Sequence, residues 1–103
     1  MQITFSARHC TVSESIREHA ARRVGKLRRI EQRPAEVTLN FQEDHGEKSA
    51  EVLLHIAGGG AHAARGKAPT FRTAVDRAVE RLERQVKRDR ARARTRRSAA
   101  SPA

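Results

Sequence analysis

Residues 37–56 read VTLNFQEDHGEKSAEVLLHI. Val37, Leu39 and Phe41 alternate with Thr38, Asn40 and Gln42, the period-two signature of a half-buried strand. Glu43 to Glu47 supplies turn chemistry, with Gly46 free to take a positive φ. Ala50, Val52, Leu54 and Ile56 then alternate again and mark the strongest strand of the chain. Two alternating runs joined by a polar turn predict a β-hairpin with one apolar face. That face needs a covering layer, and the flanking sequence supplies it.

Upstream, Ile3, Phe5 and Ala7 alternate with Gln2, Thr4 and Ser6, a further short strand. Thr11 and Glu14 have the spacing of a capping box. Behind them Val12, Ile16, Ala20, Val24 and Leu27 form the stripe of an amphipathic helix, which Gly25 weakens. Arg33-Pro34 is expected to end it, because a residue before proline avoids the helical region. Downstream, Gly58 to Gly60 marks a turn, and Ala61 to Arg65 a weak fourth strand whose alanines and His62 bury little. Gly66 to Pro69 reads as a loop, and Thr70 as the N-cap of a long helix. Phe71, Ala74, Val75, Ala78, Val79, Leu82 and Val86 carry its apolar stripe. The order is β-α-β-β-β-α. A crossover helix makes the first two strands parallel, and hairpins make the rest antiparallel. The predicted fold is α+β, a two-layer sandwich with a four-stranded mixed sheet and two helices on one face.

The chain has 103 residues, 22 Lys and Arg against 12 Asp and Glu, and a formal charge of +10. Every Ile, Leu, Val and Phe lies at or before Val86. This places a single packed domain at residues 1–90 and a basic, disordered tail at 91–103. No signal-peptide h-region is visible and no apolar run approaches a membrane span, so no membrane partner is expected. A single Cys10 agrees with a reducing compartment, and the expectation is a soluble cytoplasmic protein. So large a positive charge on so small a domain favours a polyanionic partner, nucleic acid first.

The excess charge is concentrated late: residues 70–103 hold 11 basic and 4 acidic residues. On helical wheels Arg22, Lys26 and Arg29 form one outward ridge on the first helix. Arg77, Arg81, Arg84 and Arg88 form another on the last helix. If the helices pack side by side, the two ridges are expected to merge into one basic surface. No Trp or Tyr is present, and Phe5, Phe41 and Phe71 fall in core phase, which argues against base stacking on a sheet. Recognition by phosphate contact and surface shape remains, and this suits a large folded RNA.

Catalysis finds little support. His9 and Cys10 adjoin at the end of the first strand, where neighbours point to opposite faces. His45, His55 and His62 lack the spacing of a metal site. The protein is expected to be no enzyme and to use no cofactor, metal or small-molecule substrate.

The opening MQITFSARH, the stretch from Ser15 to Leu27, the segment from His55 to Ala63 and the run from Ala74 to Val86 resemble one family. In this element order they are similar to short ribosome hibernation promoting factors, the group that includes the ribosome-associated translation inhibitor. The chain departs from that family at Thr70 and Arg72, where an Asp and an aromatic are usual. No second domain is expected, and so no ribosome-dimerising module of the long members. The resemblance implies binding to the small ribosomal subunit and its ribosomal RNA in the decoding channel, on intact ribosomes as well. Messenger and transfer RNA sites would be covered, translation inhibited, and idle ribosomes stabilised, with ribosome pairing a further outcome. It also implies RNA contacts at Arg23, Lys26, Arg81, Arg84, Arg88 and Arg90. With the ridges, Lys87 and Arg92, the candidate RNA-binding set is Arg22, Arg23, Lys26, Arg29, Arg77, Arg81, Arg84, Lys87, Arg88, Arg90 and Arg92. A free monomer is expected. The rival reading is a general basic RNA-binding protein or RNA chaperone without ribosome specificity.

Overall fold

The computed structural model describes residues 2–31, 33 and 35–100, with the side chains of 35 and 93–100 outside that description. Strand β1 (Gln2–Arg8), helix α1 (Glu14–Gly25), strands β2 (Ala35–Asp44), β3 (Glu47–Ile56) and β4 (Ala61–Ala68), and helix α2 (Phe71–Ala100) follow in that order. The sheet order is β1-β2-β3-β4, with β1 parallel to β2 and the other pairs antiparallel. This is the expected mixed sheet.

Alternation along each strand sorts the faces. Val37, Leu39 and Phe41 of β2 and Ala50, Val52, Leu54 and Ile56 of β3 are buried toward the helices. The three phenylalanines sit there together, with Phe41 stacked near Phe5 and edge-on to Phe71. Helix α2 contributes Phe71, Ala74, Val75, Ala78, Val79, Leu82 and Val86, and α1 contributes Ala20 and Val24. The predicted stripes of β2, β3 and α2 are therefore core faces, whereas on β1 Ile3 and Phe5 are only partly buried and Ala7 is exposed, as befits an edge strand.

Three local readings change. Ser13, not Thr11, caps α1, its hydroxyl accepting from the Ile16 amide at 3.3 Å. With isoleucine at the third helical position no carboxylate can reach back, so no capping box forms. The helix also closes at Gly25 rather than at Arg33, passing into a tight 3₁₀ turn over Lys26–Arg29 that buries Leu27. Such turns are common at helix C-termini, and Gly25 is the weakest helix former in the segment. Pro34 lies outside the described residues. The central hairpin turns on two residues, His45 and Gly46, both with positive φ, because Glu43 and Asp44 pair with Lys48 and Glu47. That is the type I′ geometry which matches strand twist.

The fourth strand is the largest change. It runs through the expected loop to Ala68, with Ala64, Gly66 and Ala68 buried under α2. Small side chains are what this contact requires. A Cβ on Gly66 would collide with the Ala74 carbonyl and lie 2.6 Å from the Ala78 nitrogen and 2.8 Å from the Arg77 Cβ. The alanines bury little area, but they let the helix approach.

Helix α2 does not stop at residue 90. Its 30 residues span about 45 Å at 1.5 Å per residue. Among the described side chains of α2, which run to Arg92, the last buried one is Val86. Alanine and arginine are strong helix formers, and the segment 91–100 holds no glycine or proline to break the helix. Residues 101–103 of the expected tail lie outside the described residues.

The link between α1 and β2 is fixed by Glu31, buried among its neighbours, whose carboxylate accepts from the Arg33 Nε at 2.9 Å and Nη2 at 3.0 Å. This hydrogen bonding, reinforced by the charges of Arg33 and Arg90, holds the Glu31 carboxyl below its usual range.

Gly66→Ala should destabilise the domain by about 1–3 kcal/mol, as overpacking does, while Ala63→Ser on the exposed side of β4 should be nearly neutral. Urea unfolding checks both. Glu31→Gln should lower stability at neutral pH and lose its effect under acid. A carboxyl depressed by folding stabilises only above its unfolded pKa, about 4.3 for glutamate, and the gain fades as pH falls through the folded value. Equal losses at pH 7 and pH 3 would exclude that role.

Candidate functional site

Thr70 caps α2, accepting from the Thr73 amide at 3.2 Å. From that start the helix lays one flank along the free edge of β4. Arg77 donates to the Lys67 carbonyl at 2.5 Å, Arg81 to the Arg65 carbonyl at 2.7 Å and Gln85 to the Ala63 carbonyl at 2.9 Å. The match is geometric. Four residues of helix advance about 6 Å and two residues of strand about 6.6 Å, so each helical turn meets the next outward carbonyl. These bonds cover an edge that would otherwise offer unpaired carbonyls to another strand.

The opposite flank of α2 meets α1. Asp76 Oδ1 lies 2.7 Å from His19 Nε2 and 3.2 Å from Arg23 Nε, and Arg23 also approaches Glu80 at 4.0 Å. The Arg23 contact is an ion pair without hydrogen-bond alignment, since its buried Nε has no hydrogen-bond partner. His19 is buried and Arg23 about three-quarters so. Arg23 thus serves first to join the helices.

These contacts place the candidate residues. Arg22, Lys26 and Arg29 are exposed on α1 and its 3₁₀ extension. Arg77 and Arg81 are exposed beside β4, with guanidinium donors left over after their carbonyl bonds. Arg84, Lys87, Arg88, Arg90 and Arg92 are exposed further along α2. The two ridges do not merge. Asp76 and Glu80 stand on the α1 side of α2, so a seam bearing carboxylates separates two basic bands.

The open face of the sheet adds cations that the helical wheels could not show. Arg8, Arg65 and Lys67 are exposed there, in strand phase opposite Ala64, Gly66 and Ala68. The signal was the alternation of β4 itself. A reading of its small residues as unburied hid the direction of the large ones.

The discounted chemistry is also located. His9 follows β1 in left-handed geometry, φ 58°, and Cys10 turns partly into the core, so the pair lies beyond the strand. His55 is exposed on the open face, whereas His62 lies on the helix side with Nδ1 3.4 Å from Asp89. Among the described residues, no three His, Cys, Asp or Glu side chains are grouped to hold a metal ion.

Residues 3–94 match the family described as Sigma 54 modulation protein / S30EA ribosomal protein. The chain belongs to this family. Among solved structures it is similar to the N-terminal domain of Protein Y from Thermus thermophilus. That match has 26% identity and a TM-score of 0.77, over 85% of this chain and 98% of that one. A ribosomal subunit interface protein from Coxiella burnetii shares the fold, with a TM-score of 0.81 at 16% identity, over 88% of this chain and 99% of that one. No curated protein matches. The family match spans both basic bands and the open sheet face.

Arg81→Ala should cost about 0.5–1.5 kcal/mol of stability through the lost bond to the Arg65 carbonyl, whereas Arg84→Ala should cost less than about 0.5 kcal/mol. Thermal unfolding of the two variants checks the distinction between an edge-covering and a free arginine.

Proposed function

We propose that the protein is a ribosome-associated factor that silences translation by occupying the decoding channel of the small subunit. Membership of the S30EA ribosomal protein family carries this reading. The similarity to Protein Y and to a protein described as a ribosomal subunit interface protein agrees with it. The charge supplies the physical means. Cations on α1 and along α2 offer phosphate contacts to ribosomal RNA from two directions, with no stacking aromatic on either band. Coverage of messenger and transfer RNA sites would follow from the volume of the domain, with no bond made or broken. Idle ribosomes would then be preserved, singly or paired.

In this role the protein acts in the cytoplasm without cofactor or catalysis, and as a monomer when free. No large apolar side chain among the described residues is exposed to drive self-association. The basic helix beyond Val86 reaches away from the core and adds RNA contacts through Arg88, Arg90 and Arg92. Arg23, committed to Asp76, supports the interface by fixing the angle of α1.

Co-sedimentation of the full chain with small subunits across a salt series, with competitor transfer RNA, tests the reading. Saturation near one copy per subunit is expected, displaced by transfer RNA bound at the decoding sites. Combined Lys26→Glu, Arg84→Glu and Arg88→Glu should weaken binding on the order of 100-fold and lower the salt slope by about 2–3, one step per lost phosphate contact. Its circular dichroism should match the parent, because all three side chains are exposed. Binding that climbs without saturation and transfers to any added RNA would instead show a general RNA chaperone.

A further inference from the structure

The face of the sheet away from the helices is not blank. Strand register lines its side chains into rows across all four strands. Ser6, Asn40, Glu51 and Arg65 form one row, and Arg8, Gln42, Ser49 and Lys67 the next. The rows are about 7 Å apart, the two-residue repeat of a strand. Together they line two adjoining depressions of about 230 and 400 Å³, which share Gln42, Ser49 and Arg65.

The chemistry of the rows differs. The second has a cation at each end, Arg8 and Lys67, flanking an amide and a hydroxyl; at the Lys67 end the depression is also lined by Asp44 and Glu47, and Lys67 pairs with Glu47 at 3.8 Å across exposed surface. Such pairs are weak and yield to a phosphate. The first row centres on the Glu51 carboxylate, about 30% exposed. Its Oε1 faces the Asn40 Nδ2 and its Oε2 the Arg65 Nη2, each at 3.5 Å, the outer limit of a hydrogen bond. A carboxylate has roughly four acceptor sites, so with these two long contacts Glu51 keeps about half of its capacity open to the cleft.

We propose that this cleft holds one unstacked guanine nucleotide of the bound RNA, with its phosphate at the Arg8 end of the second row and its base over the Glu51 row, both within the depression that Arg8, Asn40, Glu51 and Arg65 line. Guanine presents two adjacent donors, N1–H and N2–H, on its Watson–Crick edge, and these suit the two oxygens of one carboxylate. Guanine O6 adjoins N1, so whichever of Asn40 and Arg65 flanks that end of the carboxylate is placed to donate to it. Adenine, cytosine and uracil offer no such donor pair. The proposal rests on RNA being the partner, and it assigns a base-reading role to a face remote from both helical bands.

Nuclear magnetic resonance titration of the full chain with the four nucleoside 5′-monophosphates is the test. Guanosine monophosphate should saturate, shift the amides of Asn40, Gln42, Ser49 and Glu51, and bind at least about 10-fold more tightly than the others. Glu51→Gln should abolish that preference, and since the change is nearly isosteric at a half-buried position the circular dichroism should match the parent. Absence of open-face shifts up to about 10 mM, well above a weak millimolar affinity, overturns the cleft. Equal binding of all four nucleotides, or a preference that survives Glu51→Gln, overturns it too. Ribosome co-sedimentation separates this proposal from the wider one. A chain that saturates small subunits yet shows no guanine site refutes only the cleft, while a chain that fails to bind ribosomes refutes the function.

Discussion

The approach of α2 to β4 is the contact on which the remaining structure depends. Gly66, Ala64 and Ala68 remove side-chain bulk at the crossing, and Ala74 and Ala78 do the same on the helix. Close approach then brings the Arg77, Arg81 and Gln85 side chains within reach of the outward carbonyls of β4. One crossing thus covers the core, closes a sheet edge and sets the rotation of α2. Every exposed arginine further along the helix inherits its direction from that rotation.

The same rotation divides the charge. With Arg77 and Arg81 turned to β4, Asp76 and Glu80 face α1, where His19 and Arg23 meet them. The helices are therefore joined by a polar seam above a shared apolar floor of Ala20, Val24, Val79 and Leu82. A basic protein that must fold before it meets RNA gains from this arrangement. Its like charges are held on separate bands rather than crowded into one, which reduces their mutual repulsion in the free state.

Much of the fold was legible because its periodicities are uninterrupted. The alternation of Val37, Leu39 and Phe41 and the helical spacing from Phe71 to Val86 each identify both an element and its buried face. The misread places were those where burial does not track hydrophobicity. Ala64, Gly66 and Ala68 are too small to signal a buried strand, so β4 looked short and weak. Ser13 prevailed over Thr11 because the cap is decided by where the chain enters the helix. Past residue 90 no apolar stripe announces α2, and intrinsic propensity sustains the helix there.

The sequence by itself determined the element order, the core faces, the net charge of +10 and which cations stand on which helix. These depend on local spacing and composition, which need no knowledge of neighbours. Only the tertiary structure decided which cations are free. Arg23 is committed to Asp76, Arg77 and Arg81 share themselves with β4, and Arg84 and Arg88 make no such bond. It also raised the polar rows of the open face, since Arg8, Gln42, Ser49 and Lys67 are far apart in the chain and meet only through strand register. A wheel or a strand pattern gives the direction of a side chain relative to its own element, and what it meets there is settled by the packing of another.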